Sequence, residues 1–143
     1  MASVLRVSDA AALALHTTVM LAACKQRIVS TVEIAETLHA SEAHLAKVLQ
    51  RLHKAGLVES VRGPKGGFRL SKAGDQITML EVYEAIEGPL APSTCLLATR
   101  ICDGSRCILG DLLRTVNSSV REYLSKTRLS DLVGIFRNLC ENL

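Results

Sequence analysis

The sequence contains no tryptophan and few other aromatic side chains, with two Tyr and two Phe among 143 residues. Proteins that bind single-stranded nucleic acid by stacking bases on a sheet need several exposed aromatic side chains, so the composition excludes that class. The net charge is only +3, from 17 Lys and Arg against 14 Asp and Glu. Total charge alone therefore does not indicate a nucleic-acid partner.

Common catalytic motifs are also missing. The chain has no phosphate-binding glycine loop, no paired carboxylates and no Cys–His nucleophile arrangement. Its length is sufficient for one hydrophobic core but not for a large multidomain enzyme. We therefore expect a protein that is not an enzyme.

The apolar stretch at residues 10–24 is too short to span a membrane, because His16 interrupts it well before the roughly 20 apolar residues that a span needs. Its end, Leu21 to Cys24, superficially resembles the cleavage site of a lipoprotein signal, but the usual basic leader is missing. We favour an amphipathic first helix and a cytoplasmic protein without membrane contact. The buried face of that helix would carry Leu13, Thr17, Met20, Leu21 and Cys24.

Five cysteines, an odd number, fit a disulfide framework poorly and a reducing compartment better. Cys24 falls on the buried face of the first helix, so we interpret it as a core thiol. Cys140 falls on an amphipathic C-terminal segment, and we expect it to contribute packing rather than chemistry. The remaining three lie close together at positions 95, 102 and 107.

Helix starts are marked by capping residues. Ser30 with Glu33 and Thr78 with Glu81 have the spacing of a capping box, and Ser8 or Asp9, Ser41 and Ser130 are further candidate N-caps. We predict helices at residues 9–24, 31–38, 42–55, 79–87, 107–126 and 130–141.

A β-hairpin follows the third predicted helix. Residues 57–62 and 68–71 favour strands, and the intervening Gly63 to Gly67 is too rich in Gly and Pro for a helix. The predicted fold is mainly α with a small β-hairpin wing. We assign residues 1–90 to a winged helix-turn-helix, 91–106 to a cysteine-bearing loop, and 107–143 to a long dimerisation helix and a C-terminal helix.

The third predicted helix has one apolar face, formed by Leu45, Val48, Leu49 and Leu52. The opposite face carries Ala43, Lys47, Gln50 and Lys54, with His44 and Arg51 on its flank. Residues 43–72 have a local net charge of +6, because they hold seven Lys and Arg, including Arg62 and Lys65, against one Glu. Small side chains in the first turn and basic side chains along the exposed face are typical of a helix that enters the DNA major groove.

The fifth predicted helix carries an apolar stripe, consisting of Leu109, Leu112, Leu113, Val116, Val120 and Leu124. A short DNA-binding domain has little core left to cover this stripe, so we expect it to pack against a second copy in a homodimer. The alternative is an ordinary helix of the subunit's own core.

Cys95, Cys102 and Cys107 form the pattern C-x6-C-x4-C. Three thiolates at such spacing can bind a soft metal, and they suit an iron–sulfur cluster better than zinc because the loop has no histidine. The alternatives are thiols that form a redox-sensitive disulfide and the remains of a lost site.

Residues 52–70, with the turn Gly-Pro-Lys-Gly-Gly, resemble the Rrf2 family of bacterial transcription regulators, and the resemblance extends through 32–35, 77–82 and 85–90. It implies a homodimer that binds double-stranded DNA with an inverted-repeat operator, with the recognition helix in the major groove and the wing in a minor groove. Arg62 matches the wing arginine of the family, and Ser41 matches the residue that opens the recognition helix. Ala43, His44, Lys47 and Gln50 match variable positions, so the resemblance does not imply a target sequence.

In this family the three-cysteine loop binds a 2Fe-2S or 4Fe-4S cluster, which implies that Cys95, Cys102 and Cys107 are metal ligands here. Gly110 stands where the IscR-like branch has a fourth-ligand histidine. The NsrR-like branch instead uses an aspartate near the N-terminus of the partner subunit, and Asp9 occupies the matching place. Asp111 and His16 are further candidates.

We therefore expect a dimeric DNA-binding regulator that senses iron–sulfur, nitric oxide or redox state. The alternative is a winged-helix regulator without a cluster, controlled by thiol oxidation, a small effector or a protein partner.

Overall fold

Three helices, a two-stranded hairpin and a further set of helices follow one another in the computed structural model, which describes residues 5–90 and 95–141. Its α-helices and strands are α1 (Asp9–Ala23), α2 (Thr31–Leu38), α3 (Glu42–Lys54), β1 (Val58–Val61), β2 (Gly67–Leu70), α4 (Met79–Glu87), α5 (Leu112–Lys126) and α6 (Arg137–Cys140). Short 3-10 helices lie at Gly74–Gln76 and Leu129–Ile135. The predicted fold, mainly α with a β-hairpin wing, is confirmed.

Side-chain caps begin the first four α-helices. Ser30 and Thr78 each form a complete capping box, with Glu33 and Glu81 respectively. The side chains of Ser8 and Ser41 accept hydrogen bonds from backbone N–H groups of the first turns of α1 and α3. These caps satisfy backbone donors that have no partner within the helix, which is why the four predicted starts agree with the structure within one residue.

The last two predicted helices are wrong in their bounds. The helix predicted to begin at residue 107 begins at Leu112, because Gly110 adopts a left-handed conformation with φ of 58° that interrupts the helix. The helix predicted over 130–141 is instead the 3-10 helix and the one-turn α6. Ser130 is not its cap, since the Asp131 carboxylate accepts a hydrogen bond of 2.9 Å from the backbone N–H of Arg128.

Helix α1 lies at the centre of the core. Its buried residues contact α3, α4 and the 3-10 helix Leu129–Ile135. Ala11, Ala14, Met20 and Leu21 are fully buried. Nowhere in 5–90 or 95–141 is a helix long and apolar enough to cross a membrane.

The hairpin is joined to the segment before α2. Strands β1 and β2 are antiparallel, and Val29 exchanges backbone hydrogen bonds of 2.9 and 2.8 Å with Phe68. Gly67 permits this approach, because a Cβ atom there would lie 2.6 Å from the carbonyl carbon of Val29. The wing is thus held against the domain by backbone contacts, and only its tip projects.

Cys24 and Cys140 form a disulfide. The expectation of a core thiol and a packing cysteine is therefore wrong. Cys24 directly follows α1, and Cys140 is the last residue of α6. Their Cα atoms are 5.3 Å apart. The two cysteines are 116 residues apart in the sequence, so no local sequence pattern could predict their bond.

Candidate DNA interface and cysteine loop

Helix α3 presents two distinct faces. Its four apolar residues, Leu45, Val48, Leu49 and Leu52, are buried. The predicted outward set is exposed throughout and consists of Ala43, His44, Lys47, Gln50, Arg51 and Lys54. The exposed side chain of Ser41 accepts a hydrogen bond of 3.1 Å from the backbone N–H of His44, which fixes where the helix begins.

A tight turn sets α3 against α2. His39 ends α2 in a left-handed conformation with φ of 52°, and the N–H of Ala40 donates to the Ala35 carbonyl at 2.9 Å. Ile34 and Ala35 are buried on the side of α2 that faces the core. Because α2 is anchored in the core and the turn at His39 fixes α3 relative to α2, the polar face of α3 is directed toward solvent.

The basic side chains near α3 fall into two groups. Arg69 is paired with Glu59 across the hairpin at 3.1 Å, and Lys72 is paired with Glu81 at 3.6 Å. A second group has no acidic partner within residues 5–90 and 95–141. One member, Arg51, donates to a backbone carbonyl instead. We call the other four the basic surface, and they are Lys47, Lys54, Arg62 and Lys65.

Arg51 makes a contact that sequence analysis missed. Its guanidinium donates a hydrogen bond to the carbonyl oxygen of Ile86, near the end of α4. This bond links α3 to α4, the helix that precedes the cysteine loop. The sequence indicated this contact only through the position of Arg51, on the flank between the buried and outward faces of α3.

The start of α1 is tied to the same end of α4. The backbone N–H of Ser8 donates to the Glu87 carboxylate at 3.2 Å, and the Ser8 hydroxyl donates to the same oxygen. The Tyr83 hydroxyl donates to the carbonyl of Arg6 at 2.8 Å. Burial raises the pKa of Tyr83 above its ordinary value, so it remains a donor at neutral pH. Asp9, next to Ser8, is consequently held near the point where the chain leaves α4.

The three loop cysteines line one open cavity of about 520 Å³ at the start of α5. None of the three forms a disulfide, and Cys102 and Cys107 are exposed. Arg100, Arg106 and Arg114 line the same cavity, and because among the described residues only Arg114 is paired with Asp111, at 3.0 Å, the cavity walls keep a net positive charge. In the part of the chain that the structure describes, no three His, Cys, Asp or Glu side chains lie close enough together to hold a metal ion.

Neighbouring groups alter the acidity of Cys102. A hydrogen bond with the Arg100 side chain lowers the pKa of Cys102, and a backbone hydrogen bond at Gly104 adds to the effect. Gly104 has room for the Arg100 guanidinium only because it lacks a Cβ atom. These hydrogen bonds therefore favour the thiolate form of Cys102, which is the form that binds metals.

The candidate fourth ligands are separated. Asp111 lines the same cavity as the cysteines. Asp9 and His16 line a second cavity, of about 430 Å³, together with His39 and His44. Within one subunit, Asp111 is therefore the candidate beside the three thiols.

The apolar stripe of α5 divides between two environments. Leu113 and Leu124 are buried, and Val116 and Val120 are half-buried. Leu112 and Tyr123 are each 56% exposed, and Ile108, just before the helix, is 91% exposed. One side of α5 belongs to the core of its own subunit, and the other presents apolar surface to solvent.

A family model described as an iron-dependent transcriptional regulator, Rrf2, matches residues 7–135. The chain belongs to the Rrf2 family. Regulators of this family bind DNA, and they are typically dimeric.

Individual relatives agree with this assignment. The chain is 34% identical over 109 residues to the transcriptional regulator IscR of Cereibacter sphaeroides, across 74% of this chain and 70% of that protein. Its fold is similar to that of CymR, the global cysteine regulator of B. subtilis, with a TM-score of 0.75, 29% identity and coverage of 92% and 98%. It is also similar to T. potens IscR, with a TM-score of 0.68, 25% identity and coverage of 94% and 90%.

These similarities show that the protein is a transcriptional regulator of the Rrf2 family, with the winged-helix fold of that family. They also confirm the expectation that it is not an enzyme, because its relatives are regulators.

Proposed function

We propose that this Rrf2 regulator is a homodimer that binds an inverted-repeat operator and carries a 2Fe-2S or 4Fe-4S cluster on Cys95, Cys102 and Cys107. The observation that carries the cluster assignment is that these three cysteines, none of them in a disulfide, line one cavity at the start of α5. The basic surface on α3 and the wing supports the DNA assignment.

The DNA contacts follow from the exposed side of α3 and the wing tip. Ala43 and Ser41 are small and stand in or before the first turn, so they leave room for that end of α3 in a major groove about 12 Å wide. Lys47 and Lys65 have no acidic partner among the residues that the structure describes, so they are suited to neutralise phosphates. The residues we propose to contact DNA are Ser41, Ala43, His44, Lys47, Gln50, Arg51, Arg62 and Lys65.

The dimer would be built on the exposed side of α5. Leu112 and Tyr123 present apolar surface that a second copy of the helix can cover. A two-fold axis through this contact would place the two α3 helices on half-sites about one turn of DNA apart. This symmetry is the reason for an inverted-repeat operator.

The donor set of the loop fits an iron–sulfur cluster. Thiolates are the ligands that such clusters prefer, and the three arginines of the cavity would offset the negative charge of a thiolate-bound cluster. Among the described residues, the three thiols are not close enough together to bind one metal centre. Cluster binding would therefore require a rearrangement of the loop. For the fourth position we propose Asp9 of the partner subunit, with Asp111 as the alternative. When bound, the cluster would supply a redox-sensitive and labile centre.

A change in the loop can reach the recognition helix through α4. The loop departs from α4 beyond Gly88, directly after the residues that bind Arg51 and Ser8. A small displacement of Ile86 or Glu87 would therefore shift α3 and the start of α1 together. A coupling free energy of about 1–3 kcal/mol is typical of such links.

The cluster assignment is tested by anaerobic reconstitution followed by iron and sulfide analysis. We expect visible absorption and at least about two irons per subunit, because the smaller of the two proposed clusters contains two. Cys102→Ala should abolish both signals. Cys140→Ser, which removes a cysteine outside the loop, should retain them. A colourless wild-type protein with less than about one iron per subunit contradicts the assignment.

The second candidate is a cluster-free regulator controlled by thiol oxidation, a small effector or a protein partner. The similarity to CymR, a global cysteine regulator, and the ungathered thiols favour it. In that case metal-free protein should bind its operator, and treatment with a disulfide or the effector should change the affinity. Iron should then have no effect on binding.

A further inference from the structure

We propose that Cys24 and Cys140 are a reversible thiol–disulfide pair that fastens the C-terminal turn α6 to the end of α1. We call this bond the latch. The inference goes beyond the proposed function and rests on it only for the argument about the compartment in which the protein works.

The two cysteines lie where a bond can hold one segment to another. Cys24 directly follows α1 and is only 7% exposed. Cys140 is the last residue of α6 and is half-buried, with its sulfur 3.8 Å from the carbonyl oxygen of Met20. The bond joins residues 116 positions apart, so it connects the first helix of the domain to the last.

Helix α6 is short and partly exposed. It is a single turn of four residues with no side-chain cap, and Leu139 on it is exposed. Phe136, just before it, is buried in the core. The preceding 3-10 helix is fixed separately, because Leu129 is fully buried and its N–H donates to Ile77 at 3.0 Å. Opening the latch should therefore release α6 without unfolding the segment before it.

The latch cysteines and the loop cysteines differ in their bonding. Cys95, Cys102 and Cys107 form no disulfide in the same structure in which Cys24 and Cys140 are bonded. A regulator that works on DNA shares its compartment with thiol reductants, where disulfides are usually transient and serve catalysis or redox sensing. The latch is thus suited to be a second redox input.

A low-molecular-weight disulfide is the oxidant that the latch requires. The more accessible Cys140 thiolate attacks one sulfur of the disulfide, forms a mixed disulfide and releases one thiolate. The Cys24 thiolate then attacks the Cys140 sulfur and releases the second thiolate. The protein loses two electrons and two protons, and the disulfide becomes two thiols. A dithiol reductant reverses both steps.

The test uses the full chain, held in buffers of oxidised and reduced glutathione. Differential alkylation with peptide mass spectrometry measures the bonded fraction of each cysteine, and amide hydrogen exchange measures the opening of residues 136–141. We expect Cys24 and Cys140 to titrate together between bonded and free. Reduction should speed exchange in 136–141 by about tenfold or more and leave α3 unchanged.

Two variants sharpen the result. Cys140→Ser should show fast exchange in 136–141 in every buffer, whereas Cys102→Ser should respond as the wild type does. Independent alkylation of Cys24 and Cys140 at every glutathione ratio would overturn the proposal. Equal exchange in oxidised and reduced wild-type protein would also overturn it.

Operator binding, measured on the same samples, distinguishes a failure of the latch proposal from a failure of the proposed function. A redox response in residues 136–141 without DNA binding in any state supports the latch and contradicts the proposed function. DNA binding without that response contradicts only the latch.

Discussion

The guanidinium of Arg51 donates a hydrogen bond to the carbonyl oxygen of Ile86. Arg51 lies on α3, and Ile86 lies near the end of α4, the helix that precedes the cysteine loop. Through this bond, the helix that we propose to read DNA directly contacts the helix that precedes the proposed sensor loop.

Replacing Arg51 with Ala should lower the free energy of unfolding by about 1 kcal/mol, because the Ile86 carbonyl loses its donor. Thermal or urea denaturation measures this change. Lys54→Ala is the matched control, since Lys54 is an exposed cation on the same helix with no acidic partner in the described part of the chain. Equal stabilities of the two variants would show that the Arg51 bond contributes nothing.

Arg62→Ala should weaken operator binding by about tenfold or more, a loss of about 1.4 kcal/mol. Arg62 lies at the wing and has no ion-pair partner among the described residues. Fluorescence anisotropy with an operator duplex measures the affinity. Lys72→Ala, which removes a cation already paired with Glu81, should change affinity much less. An unchanged affinity for Arg62→Ala would refute the wing contact.

Lys47→Ala should lower affinity for operator and random DNA equally and reduce the salt dependence by about one unit, because one phosphate contact is lost. Gln50→Ala, on the same exposed face, removes no charge and should leave the salt dependence unchanged. Titrations at several salt concentrations give both slopes. If Lys47→Ala alters sequence preference instead, Lys47 contacts a base.

Gly67→Ala should destabilise the domain by about 1–3 kcal/mol, because the new methyl group would collide with the backbone of Val29. Gly134→Ala is the control, since a Cβ atom there meets nothing within 4 Å. Denaturation curves compare the two. If Gly67→Ala is as stable as Gly134→Ala, the wing does not depend on its close approach to Val29.

Leu112→Asp should dissociate the proposed homodimer, because it places a charge in the apolar contact between two α5 helices. Sedimentation equilibrium measures the dissociation constant. Ile135→Asp is the control, since Ile135 is 66% exposed but lies outside α5. A monomeric wild-type protein, or a Leu112→Asp variant that remains a dimer, contradicts an interface on this side of α5.

Local features of the fold could be predicted because they depend on residues close together in the sequence. The capping boxes at Ser30 and Thr78 are formed by side chains three residues apart. The buried and exposed faces of α3 follow from helical periodicity within one element. The loop cysteines were assigned together because of short spacing, and the structure places them on one cavity.

Contacts between distant parts of the chain could not be predicted. Cys24 and Cys140 are 116 residues apart, and nothing in either local pattern distinguishes a bonded cysteine from a packed one. The contact of Arg51 with Ile86 depends on how α3 and α4 pack. The late start of α5 had a sequence signal in Gly110, because glycine readily adopts the left-handed conformation that ends a helical turn.

The most direct test of the central claim is anaerobic measurement of operator affinity with and without a reconstituted cluster. A duplex from the protein's own promoter would be titrated with both forms at one salt concentration. We predict specific binding, with affinities that differ by about fivefold or more between the two forms. Failure of both forms to bind the duplex more tightly than random DNA would contradict the account.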